Sequence, residues 1–148
     1  MRAALAVALL FPLFLAARPV AGQSAADSAG VRTTALDYID GWWSGDATRM
    51  AAALHPELVK RIRGADAAGK REWIDNQGAS RLTDGTLRGG GRETPAANQR
   101  SDVRVLDIFQ NSASVRVDAG AWVDYLHLVR WKGRWVILNV LWEMRRPA

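Results

Sequence analysis

The sequence predicts an α+β domain, with helices first and an antiparallel meander after them. Two observations carry that expectation. The first half of the chain holds apolar residues at helical spacing, and the last third alternates apolar segments with turn residues. With 148 residues, the chain has room for one domain and little more.

The first helix is predicted over 31–44. Val31, Ala35, Tyr38, Ile39, Trp42 and Trp43 form one apolar stripe, and Gly45 suits a left-handed C-terminal cap. Asp46 reads as the N-cap of a second helix over 47–54. Pro56 stops that helix and reads as the first residue of a third short one, 56–62. A weaker helical pattern spans 70–81 on Trp73 and Ile74. Residues 83–100, with Gly89-Gly90-Gly91 and Pro95, read as a mobile loop.

Strands follow at Val103–Ile108, Ala113–Val117, Trp122–Trp131 and Trp135–Glu143. A two-residue turn at Lys132-Gly133 aligns the last pair. Arg130 then faces Trp135, Leu128 faces Ile137, Leu126 faces Asn139, Asp124 faces Leu141 and Trp122 faces Glu143. Both sides of this hairpin are rich in Val, Leu, Ile and Trp, whereas a half-exposed sheet alternates cleanly. One face is therefore expected to meet the helices and the other a second copy of the chain.

Residues 1–22 have the layout of a secretory signal peptide: Arg2, an uncharged run from Ala3 to Ala17, and small residues Val20 and Gly22 before the cut. The run is too short to span a bilayer as a helix, so no stable membrane insertion is expected after cleavage. The product is expected to be secreted or periplasmic. Residues 23–30 read as a flexible leader, and 31–146 as the single domain. Cleavage after Gly22 removes Arg2 and Arg18 and lowers the formal charge from +5 to +3, which calls for no nucleic acid. Arg88-Gly89-Gly90-Gly91-Arg92 lacks the Lys-Ser/Thr ending of a phosphate loop and the aromatics of a nucleic-acid segment. The absence of Cys excludes disulfides and thiolate chemistry, and two His cannot build an all-histidine metal centre; no metal or cofactor motif is present.

The strings ALDYIDGWWSGDATRMAAALHP, VRVLDIFQNSASVRVD and WVDYLHLVRWKGRWVILNVLWE resemble the putative lumazine-binding family. That family lies in the nuclear transport factor 2-like superfamily, with the SnoaL-like cyclases and ketosteroid isomerases. The resemblance covers about 31–145 and departs between 63 and 100. It implies a cone-shaped curved antiparallel sheet around the N-terminal helices, a pocket at the open end, and homodimers through the outer sheet face.

Candidate pocket residues are Tyr38, Trp42, His55, Trp122, Asp124, Asn139 and Glu143. Asp124 and His55 are the acid/base candidates. Against this, Asp124 also reads as a carboxylate bonded to backbone N–H groups or an Arg, holding the sheet together, and His55 as a helix cap. Asn139 and Glu143 share the predicted side of Asp124, while Tyr125 and His127 point to the other face. The leading functional expectation is a binder of a small apolar or aromatic molecule. The alternatives are a cofactorless isomerase, cyclase or dehydratase, and an accessory dimer with a filled cone.

Overall fold

The structure is a computed structural model that describes residues 24–146. The signal peptide expected over 1–22 lies outside those residues. Three α-helices, α1 (Ala25–Ser44), α2 (Ala47–Ala53) and α3 (Ala79–Leu87), pack on a six-stranded sheet. Its strands are β1 (Leu54–Ala65), β2 (Glu72–Gly78), β3 (Asp102–Phe109), β4 (Ser112–Asp118), β5 (Trp122–Trp131) and β6 (Arg134–Met144). They lie in the order β2-β1-β6-β5-β4-β3 and leave the curved sheet unclosed. The sheet is mixed rather than purely antiparallel, because β1 runs parallel to β6.

Helix α1 starts six residues before the apolar stripe. Ser24 caps it by accepting from Asp27 N–H, so residues 25–30 of the expected leader are helical. The stripe itself is placed as its periodicity requires: Val31, Ala35, Tyr38, Ile39 and Trp43 are buried. Gly45 closes the helix at φ 68°, and Asp46 caps α2 through Arg49 N–H. Several bonds tie α1 to the sheet and to the segment leading into β3. Arg32 donates to Val103 O (2.7 Å), Thr34 to Trp135 O (3.1 Å) and Trp43 Nε1 to Arg100 O (3.0 Å).

The two helices expected after α2 are strands instead. Over 58–63, inward Leu58, Lys60 and Ile62 alternate with outward Val59, Arg61 and Arg63, which is the period of a strand. A lysine in the inward set disguises that alternation. Pro56 falls where the β1–β6 register shifts between Leu54 and Val59, a place where its missing N–H interrupts no regular ladder. Trp73 and Ile74 belong to the edge strand β2, where Trp73 lies over Gly64; a Cβ on Gly64 would come within 2.4 Å of the indole.

The last hairpin turns on Lys132 (φ 49°) and Gly133 (φ 81°), the type I′ geometry that matches strand twist. Near the turn the expected register holds, with Arg130 opposite Trp135 and Leu128 opposite Ile137. Leu138 is then an extra residue, and His127 pairs with Asn139. Such a bulge reverses the facing of everything beyond it. Val140, Trp142 and Met144 turn inward with Leu126, Asp124 and Trp122. Asn139, Leu141 and Glu143 turn outward, so the expectation that Asn139 and Glu143 share Asp124's side is corrected.

Among the described residues no helix is long and apolar enough to cross a membrane.

Candidate functional site

At the Trp122 end of the sheet the helices and strands enclose a cavity of about 360 Å³. Helix α1 supplies Tyr38, Ile39 and Trp42, and α2 supplies Met50. Trp122 and Trp142 form the wall from β5 and β6, with Met144 and Ala121 beside them. Leu82 of α3, Gln77 of β2, and Gly90 and Thr94 from the loop after α3 complete it.

That loop is packed rather than loose. A Cβ on Gly91 would lie 2.2 Å from Trp42 O, and one on Gly90 2.5 Å from the Trp42 ring, so glycine lets the backbone close on the indole. Arg92 holds the loop by donating to Ser44 O at the end of α1 (2.8 Å). Residues 83–87 of the expected 83–100 loop are helical, as the second part of α3, while 79–81 are helical as expected.

The polar floor of the cavity is Lys60, which is 6% exposed. Its Nζ donates to Tyr38 Oη (2.6 Å) and to Asp124 Oδ1 (2.8 Å), and it stands 4.7 Å from the centre of the Trp142 ring. The second oxygen, Asp124 Oδ2, accepts from Trp122 Nε1 (2.8 Å). Burial raises the Tyr38 pKa well above the ordinary tyrosine value, and the nearby Asp124 carboxylate raises it further, so the phenol stays neutral. Trp122 in turn packs against Trp43 and Trp142, at centroid distances of 5.1 and 6.4 Å. The pairing explains how a charge can sit in an apolar wall: each buried ion has its counter-ion and a second hydrogen-bonding partner.

Of the sequence candidates, Tyr38, Trp42 and Trp122 line the cavity. Asp124 is fully buried behind Lys60 and Trp122; it is a paired carboxylate, but its partners are a lysine and an indole rather than the backbone N–H groups or arginine expected. His55 is at the other end of the sheet. Its ring stands edge-on to Trp131, 5.1 Å between centroids, and its Nδ1 accepts from Glu57 N–H (3.1 Å). The seven residue steps along β5 from Asp124 to Trp131 separate these two ends by roughly 20 Å. An acid/base pair of Asp124 and His55 is therefore not assembled. On the outer face, Asn139 accepts from Arg61 (2.6 Å) and meets His127, and Glu143 is exposed.

Lys60, Gln77, Trp142 and Met144 are among the cavity residues that sequence reasoning missed. Lys60 reads as part of a basic surface cluster once 56–62 is taken as helix; the alternation of 58–63 was the signal for its inward position. Trp142 and Met144 were hidden by the bulge. Among the described residues, no group of three or more metal-ligating side chains is placed to hold an ion.

The known proteins most informative for this arrangement are solved structures. An NTF2-like protein of unknown function from Methylobacillus flagellatus KT is 22% identical, with a TM-score of 0.62 over 83% of this chain and 95% of its own. An NTF2-like protein of unknown function from Shewanella baltica OS155 is 16% identical, with a TM-score of 0.56 over 85% and 100%. A ketosteroid isomerase-like protein from Erwinia carotovora atroseptica is 14% identical, with a TM-score of 0.51 over 80% and 96%. At these identities the likeness establishes the fold. No curated protein matches. The family model described as "Putative lumazine-binding" matches residues 26–143, which takes in α1 through almost all of β6. The chain thus belongs to the putative lumazine-binding family, on the NTF2-like fold.

Proposed function

We propose that this domain binds a small, flat, largely apolar molecule in the cavity at the Trp122 end of the sheet. The observation that carries this reading is the wall itself: Tyr38, Trp42, Trp122 and Trp142 present aromatic surface around about 360 Å³ of space, with one polar floor. This is the composition of a small-molecule pocket. An acid/base enzyme finds less support, because His55 lies at the far end of the sheet. A filled cone finds less support for the same reason that binding finds more.

The same reading has the chain exported, with cleavage after Gly22, and paired with a second copy through the outer sheet face. Tyr125, Leu138 and Leu141 are 47%, 38% and 52% exposed there, and they support such a contact. N-terminal sequencing of exported protein is expected to begin at Gln23, and sedimentation of that product to give a dimer. An intact Met1 or a micromolar monomer would contradict these two points.

Equilibrium dialysis of naphthalene against the domain tests the binding reading. One molecule per chain is expected, with binding lost in Ala121→Trp at the cavity mouth and retained in His55→Gln. Equal binding by both variants, or none by the parent, would refute it.

A further inference from the structure

The Lys60 ammonium has more hydrogen-bonding capacity than its ion pair uses. An ammonium group carries three N–H donors. One goes to Tyr38 Oη and one to Asp124 Oδ1; among the described residues the third meets no oxygen or nitrogen acceptor, only the weaker face of the Trp142 ring at 4.7 Å. Yet Lys60 is nine-tenths buried, so bulk water is not its ordinary partner. It lines the aromatic cavity, and it also lines a second, smaller cavity of about 170 Å³. Gln77 and Trp142 border both spaces as well, and the smaller one adds Asp75, Asn76 and Arg81. The junction between an apolar chamber and a polar one is thus marked by a buried cation with a donor to spare.

Charge decides what that donor can take. Lys60 is matched by Asp124, and Arg81 shares its cavity with Asp75. The junction therefore offers hydrogen bonds without offering excess positive charge. A carboxylate entering it would bring a buried charge with no counter-ion, whereas a neutral oxygen needs none.

Resting on the binding reading above, we propose that the ligand is an uncharged, flat molecule with a carbonyl oxygen at one end, and that Lys60 Nζ holds that oxygen with its third N–H. The ring system fills the aromatic cavity, and the carbonyl end faces the polar one. A hydrogen bond from a charged donor that is itself nine-tenths buried sets the ligand apart from its oxygen-free analogue by about tenfold or more.

Three probes of one shape test this: 2-acetylnaphthalene, 2-ethylnaphthalene and 2-naphthoate. The ketone is expected to bind at least about tenfold more tightly than the hydrocarbon, and the carboxylate more weakly than the ketone. In Lys60→Met/Asp124→Leu, which removes both charges together, the ketone's advantage is expected to vanish while the hydrocarbon still binds. Should that variant fail to fold, the infrared carbonyl stretch of the ketone bound to the parent protein serves instead. It is expected below its position in dry hydrocarbon. Equal affinities for ketone and hydrocarbon, a preference surviving in the variant, an unshifted carbonyl stretch, or tightest binding by naphthoate would overturn the proposal while leaving the binding reading standing. Failure of all three probes to bind would overturn both.

Discussion

The two ends of the β5–β6 hairpin are built from the same residue types and come out differently. At the turn end, Trp135 is buried against Gly30, Arg130 covers the Trp135 ring at 5.0 Å, and His55 stands against Trp131. Aromatic bulk there is consumed by packing. At the open end, Trp122 and Trp142 stand beside a buried ion pair and leave a cavity. The difference arises from the bulge at Leu138. It turns Trp142 inward to meet Lys60, and it sends Leu141 outward. One extra residue in β6 therefore decides which aromatic rings pack a core and which enclose space.

The largest expected effect comes from unpairing the floor. Lys60→Met alone leaves Asp124 buried without its cation and is expected to cost about 3–5 kcal/mol in chemical denaturation. Lys60→Met/Asp124→Leu is expected to recover most of that loss. If the single variant is as stable as the double, the ion pair is not what holds this end in shape.

Next is a matched pair of tryptophans. Trp122→Phe removes a donor to a buried carboxylate and is expected to cost about 1.5–3 kcal/mol. Trp135→Phe is expected to cost less than about 1 kcal/mol, because Trp135 Nε1 is buried with no acceptor among the described residues. Equal costs would erase the contrast between the two ends. Gly91→Ala is expected to cost about 1–3 kcal/mol, since its Cβ collides with Trp42 O and forces the loop off the cavity wall.

These sites also show what the sequence made legible. The stripe of α1, the caps at Gly45 and Asp46 and the last four strands follow from local periodicity and turn chemistry. The cavity floor does not. Lys60 faces inward only because Asp124, sixty-four residues later, is there to pair with it, and no local pattern announces such a partner. The bulge at Leu138 is equally silent: Val, Ile, Leu and Val around it suit either face. Tyr38, Trp42 and Trp122 could be foreseen as pocket aromatics because they lie on elements whose register is locally fixed. Asn139 and Glu143 were misplaced because theirs is not.

A modest, pH-dependent effect is expected at Asp118, the last residue of β4. Burial works to raise the Asp118 pKa, but the Gly120 N–H, Arg116 and Arg145 together bring it below the ordinary 3.8. A carboxyl lowered in the folded state adds stability that is present above its unfolded value and lost as the pH falls through the folded one. Asp118→Asn is expected to cost about 1 kcal/mol at neutral pH, with the gap to the parent closing below pH 3.8. A gap that widens in acid would reverse the assignment.

The most direct test of the two-ended account uses the indole N–H resonances of the seven tryptophans, followed while 2-ethylnaphthalene is added. Trp42, Trp122 and Trp142 are expected to shift together, with Trp131 and Trp135 unmoved. Shifts centred on Trp131 and Trp135, or spread evenly over all seven, would contradict it.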